Sequence, residues 1–155
     1  SESKLPILFK KSLLWTDSGG AGKWRGGLGY TAEVEWKGGD CYGSFRRDRM
    51  KFKPWGIEGG HDGPLCKTQI ISKKGKYTLP GKIDAPLIYG DIIKIHTTGS
   101  GGFGSPATRD PKLVLDDFMN KKISSRAAKN IYKVFIKNNK IDHEKTKVLR
   151  AKSIE

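Results

Sequence analysis

Asp17-Ser-Gly-Gly-Ala-Gly-Lys-Trp-Arg-Gly-Gly-Leu-Gly-Tyr30 decides how the chain is read, and six of its fourteen residues are glycine. Each glycine loses much backbone entropy on ordering and brings no side chain to a core, so the run is neither a stable helix nor an ordinary strand. It is either a disordered linker or a folded loop whose backbone takes φ > 0 and lies close to something else. A flexible linker is glycine with serine and little more. This run carries Lys23, Trp24, Arg25 and Leu28 among its glycines, which favours the folded loop.

The flanks read as β structure. Leu5-Pro-Ile-Leu-Phe9 is a short apolar run with Pro6 at its second place, which suits an edge strand, where a missing N–H is tolerated. It equally suits the end of a longer element. Tyr30 to Trp36 alternates, with Tyr30, Ala32, Val34 and Trp36 on one face, and predicts a half-buried strand. Gly38-Gly-Asp40 predicts a turn, and Cys41 to Arg47 a returning strand that completes a hairpin. A loop rich in glycine and proline follows from Pro54 to Pro64. Lys67–Ser72 and Tyr77–Leu79, either side of Lys73-Lys-Gly-Lys76, form a further hairpin-like pair. Ile92 to Thr97 is one more buried strand, and Gly99-Ser-Gly-Gly-Phe-Gly104 closes the β region.

The pattern changes at Asp110-Pro111, an N-cap followed by a proline suited to the first helical position. Leu113, Val114, Leu115 and Phe118 give an apolar stripe. Ser124 or Ser125 can cap a second helix, with Ala127, Ala128, Ile131, Val134 and Phe135 inward. Asp142 can cap a third, carrying Val148 and Leu149, with Asn138-Asn139 separating the last two. The expected fold is α+β and mainly β. A glycine-rich antiparallel sandwich or barrel-like core over 1–109 is followed by two or three short helices over 110–155.

At 155 residues the chain suits one cored domain, yet only 35% of it is hydrophobic. A thin core that leans on neighbouring structure is expected. The net charge is +14, with basic residues spread along the chain and 12 of them against 5 acids from Pro111 onward. Dispersed charge favours solubility and partner docking over nucleic acid. The alternative is a stand-alone basic β domain that binds nucleic acid or another anionic partner, with steep salt dependence. Cys41 and Cys66 lack zinc spacing and read as free thiols of a reducing compartment, a disulfide between them being the alternative. The polar start and the lack of an apolar run near ~20 residues predict a soluble, cytoplasmic chain.

Candidate chemistry is sparse. A P-loop would place its first glycine at Asp17 and Ser or Thr at Trp24, so the glycine run fails it at two fixed places. Gly99, Gly101 and Gly104 satisfy G-x-G-x-x-G, but Ser105-Pro106 follows where a helix should begin, so nucleotide binding is not expected. His61, His96 and His143 are isolated. His61 beside Asp62 is a candidate general base against the plainer reading of an exposed loop histidine. Alternation puts Arg47 and Arg49 on one strand face beside Arg46. There they could hold a carboxylate or phosphate bidentately, or pair with nearby acids.

Three blocks in order carry a family resemblance: Gly19 to Gly29, Arg46-Arg-Asp-Arg-Met-Lys-Phe-Lys-Pro-Trp-Gly-Ile-Glu-Gly-Gly60, and Gly90 to Pro111. Together they resemble the C-terminal portion of the hydantoinase B/oxoprolinase family, whose members are much longer. The resemblance implies a B-type subunit working with an ATP-binding A-type subunit to open cyclic amides such as hydantoins or 5-oxoproline, some relatives carboxylating ketones instead. ATP with Mg, and in some relatives a metal held by the N-terminal part of the B-type subunit, belong to the complete enzyme. No catalytic, cofactor or metal residue carries over to this chain. The implied partners are that N-terminal part and the A-type subunit, with no membrane. The matched positions read as scaffold and interface: Gly19, Gly20, Gly22, Lys23, Trp24, Arg25, Gly26, Gly27 and Gly29; Arg47, Arg49, Pro54, Trp55, Gly56, Gly59 and Gly60; Gly99, Gly101, Gly102 and Gly104.

Overall fold

The computed structural model describes residues 4–152. Among the described residues nine strands run in chain order: β1 Ile7–Leu14, β2 Tyr30–Trp36, β3 Cys41–Arg46, β4 Lys67–Ser72, β5 Gly75–Leu79, β6 Lys82–Leu87, β7 Ile92–His96, β8 Ile136–Lys137 and β9 Lys140–Ile141. Three helices, α1 Pro111–Met119, α2 Ser125–Asn130 and α3 His143–Ala151, lie in the C-terminal third. The expected class, mainly antiparallel β followed by short helices, holds. By its contacts the chain forms two units. The first is Ser1–Leu14, Gly29–Lys53 and Leu65–Thr98; the second is Trp15–Leu28, Pro54–Pro64 and Gly99–Glu155.

The first unit is a two-sheet sandwich. One sheet has the order β1-β2-β7-β4-β5, the other pairs β3 with β6, and all pairings are antiparallel. Ile70 and Leu79 from the large sheet meet Phe45, Ala85 and Leu87 from the small one, with Trp36, Ile83 and Ile93 packed around them. The inward positions of β2 are Ala32 and Val34, as alternation requires. The β4–β5 hairpin forms as expected, its turn closed by Gly75 at φ +134°. The N-terminal apolar run is an edge strand, longer than its sequence indicates and reaching Leu14.

Two expectations fail here. β2 and β3 are not a hairpin: β2 lies between β1 and β7, and β3 crosses to the other sheet to pair with β6. The short Lys37–Asp40 connection changes sheets because Phe45 is buried against Ala85 and Leu87, which no partner on β2 supplies. The strand containing the arginines also stops at Arg46, and Arg49 takes φ 57°, so Arg47 and Arg49 do not share a strand face. Strand β6 contains Pro86, which an edge strand tolerates. The alternation of Ile83, Ala85 and Leu87 is its sequence signal.

The second unit carries the helices. Asp110, Ser124 and Asp142 cap them, accepting from the amides of Lys112, Ala127 and Lys145. The core is Ala21, Val114, Ile123, Ala127, Ala128, Tyr132 and Val134. Asn138 and Asn139, at φ 49° and 57°, form the two-residue turn of the β8–β9 hairpin, where the sequence indicates only a break. Leu113 and Val148 face solvent, and the polar Asp117 and Thr146 are buried in their stead.

Candidate functional site

The three glycine-rich blocks meet inside the second unit as main chain on main chain. Gly20 N–H donates to the Ser100 carbonyl at 2.8 Å, and Gly26 N–H to the Gly20 carbonyl at 2.9 Å. Trp24 and Phe103 exchange both backbone hydrogen bonds, at 3.0 and 2.9 Å. On the other flank Ile57 N–H reaches the Gly102 carbonyl, and Gly104 N–H the Ile57 carbonyl, both at 2.9 Å. His61 N–H donates to the Ala21 carbonyl at 2.7 Å and its carbonyl accepts from Gly102.

Close approach, not positive φ, is what these glycines provide. No glycine from Gly19 to Gly29 has positive φ; within the three blocks only Gly59, Gly90 and Gly104 do. A Cβ on Gly19, Gly20, Gly26, Gly56, Gly60, Gly99, Gly101 or Gly102 would overlap neighbouring backbone. On Gly22 it would stand 2.7 Å from Phe103 backbone atoms. Gly27 has room, its nearest neighbour being Ser100 Oγ at 3.7 Å. Gly29 and the arginines Arg47 and Arg49 fall in the first unit; Pro54 and Trp55 fall in the second.

Charged side chains fasten the module. Arg25 grips Asp117 with two bonds, Nε to Oδ2 at 3.0 Å and Nη2 to Oδ1 at 3.2 Å, while its Nη1 donates to the Gly26 carbonyl at 2.6 Å. Arg109 Nη2 reaches the same Asp117 Oδ2 at 2.9 Å, and its Nη1 donates to the Lys23 carbonyl at 3.0 Å. Asp117 is 2% exposed and sits on α1, so two guanidinium groups tie the glycine run to that helix. Asp17 adds a second fastening, its Oδ1 accepting from Ser124 N–H at 2.7 Å. Sequence analysis singles out Arg25 but misses Asp117 and Arg109. A lone acid within an apolar stripe, three residues past Val114, is the available signal.

Beside this lies a cavity of about 90 Å³ lined by Asp17, His61, Asp62 and Tyr132 among apolar residues. Asp62 Oδ1 accepts from Gly56 N–H at 3.0 Å. Among the described residues no hydrogen bond joins Asp62 to the His61 ring, so the candidate general-base pair is not assembled and the plainer reading of a loop histidine stands. Burial pushes the Tyr132 hydroxyl up to about 12. His96 stands apart on β7 and His143 begins α3. Cys41 and Cys66 are free thiols, and burial pushes Cys66 up.

The glycine amides of a phosphate cradle point outward at a ligand. Here those of Gly20, Gly26, Gly60, Gly102 and Gly104 donate to the chain's own carbonyls. Those five amides are therefore taken up within the chain. The module's outer face carries Trp24, Ile57 and Phe103, neighbours through two backbone bridges and 60%, 51% and 48% exposed. This is an unpartnered apolar row on a rigid support.

Fold and site together define a β sandwich and a helical annex braced by closely packed glycine backbone. The chain belongs to the hydantoinase B/oxoprolinase family, whose model matches residues 1–106. An uncharacterized protein of Methanocaldococcus jannaschii is 42% identical over 97% of this chain and 27% of its own length. A Pseudomonas sp. (strain NS671) protein, provisionally named as the B-type subunit of a D-/L-hydantoinase, is 32% identical over 96% of this chain and 26% of its own. The crystal structure of the ATP-dependent caprolactamase from Pseudomonas jessenii superposes with a TM-score of 0.76 at 26% identity, over 97% of this chain and 27% of that one. The chain thus spans about a quarter of the length of these two curated relatives. Among the described residues no helix is long and apolar enough to cross a membrane.

Proposed function

We propose that this chain is a scaffold and interface portion of a B-type subunit, within an ATP-dependent enzyme that opens cyclic amides of the hydantoin or 5-oxoproline type. It is not catalytic by itself. The observation that carries this reading is how the family's blocks are used: their glycines bring backbones together, their arginine is locked on Asp117, and their aromatic residues face outward. Family membership and the likeness to an ATP-dependent caprolactamase support the reaction class. The row of Trp24, Phe103 and Ile57 is the face for the remaining part of the B-type subunit. ATP is handled by the A-type subunit, the Gly20 and Gly26 amides of the glycine run being engaged by the chain's own carbonyls.

The test is ATP-dependent ring opening of 5-oxoproline and hydantoin, followed as product and ADP release. The chain alone should give no turnover. Supplying the A-type subunit and the rest of the B-type subunit should restore it, and Trp24→Glu should weaken that assembly. Turnover by the chain alone would overturn the assignment.

A further inference from the structure

The loop after β3 builds a second candidate site in the first unit, apart from the glycine module. A cleft of about 610 Å³ opens there, with Arg47, Arg49, Lys51 and Lys82 in its lining against one acid, Asp48. Its floor is pinned. Arg47 N–H donates to the Gly81 carbonyl at 2.6 Å, and Cys66 N–H to the Arg49 carbonyl at 2.9 Å. The neighbouring Arg46 is already engaged with Asp84 at 3.1 Å. Among the described residues, Arg47, Lys51 and Lys82 form no ion pair.

One physical fact sets this cleft apart from a solvated basic surface. Cations gathered around one concavity repel one another, and the field they share is focused in the space between them. An oxyanion answers it. It neutralises the cluster and gives guanidinium and ammonium donors charged acceptors. Phe52, 77% exposed at the rim, adds a flat apolar wall for the organic part of such a ligand.

We propose that this cleft binds a small molecule through a phosphate-type oxyanion, with Arg47, Lys51 and Lys82 as its cationic ligands. The site is independent of the glycine module and of the reaction assigned above.

The test is calorimetric titration of the 155-residue chain with pyrophosphate at about 0.15 M salt, where distant surface charges are largely screened. Saturable binding at one site per chain is expected. The exposed double variant Lys51→Gln/Lys82→Gln should weaken it roughly tenfold or more, and Arg47→Gln should do the same where it folds. The double variant Lys140→Gln/Lys147→Gln, which removes equal charge elsewhere, should leave binding unchanged. Equal weakening in both double variants, or non-saturable binding, would assign the effect to net charge and overturn the proposal. So would cleft-dependent binding of a single-stranded oligonucleotide with none of pyrophosphate.

Discussion

Arg25 and Asp117, 92 residues apart in sequence, form a two-point ion pair at 3.0 and 3.2 Å that joins the glycine run to the first helix of the annex. Arg109 shares the carboxylate. Asp117→Ala would leave two partly buried guanidinium groups without their counter-charge. Removing one member of a buried ionic cluster costs about 3–5 kcal/mol, a large share of a domain's stability. Denaturant unfolding should show that loss for Asp117→Ala and a smaller one for Arg25→Lys, which keeps the charge but not the paired geometry. Equal stability of Asp117→Ala and the parent would refute the clamp.

The glycines divide sharply. A methyl group on Gly102 meets the Ala21 main chain, which cannot give way, whereas on Gly27 it meets only Ser100 Oγ at 3.7 Å. Gly102→Ala should cost about 3 kcal/mol or more, at the upper end of overpacking. Gly27→Ala should fall within about 1 kcal/mol of the parent, on the stabilising side where it restricts the unfolded chain. Comparable unfolding midpoints for the two variants would contradict the packing.

His96 gives a pH signature. Burial first, then Lys94 and Lys67, hold its imidazole below the usual histidine value, with Glu33 opposing them. The unfolded chain therefore takes up the proton first as pH falls. The stability His96 contributes is fully present above about 6.5, erodes as pH drops towards the folded value, and is constant below it. The thermal midpoint of the parent should fall relative to His96→Gln across that window. A parallel pair of curves would show that the shift is absent.

Much of this architecture can be read from the chain. The caps at Asp110, Ser124 and Asp142, the alternation of β2 and the β4–β5 hairpin are local signals, and they hold because capping and periodicity act over a few residues. The partner of β3 is not legible. Which of two strands it joins depends on where Phe45 is buried, a non-local matter. Composition marks the glycine run as folded, but for an incomplete reason. Its glycines are set by the approach of Gly56–His61 and Gly99–Gly104, segments that sequence separates by dozens of residues. Asp117 stays hidden because an acid on an apolar stripe reveals nothing of the two arginines that wait for it.

The glycine module also sets how the molecule responds to temperature. Its interior is peptide groups against peptide groups, so unfolding it wets polar main chain more than hydrocarbon. Polar exposure lowers the heat-capacity increment that apolar exposure raises. The glycine module's own share of that increment is therefore small, while the apolar share of the second unit comes from its helical core around Val114, Tyr132 and Val134. The sandwich, centred on Phe45, Ile70, Leu79 and Leu87, adds an apolar share of its own.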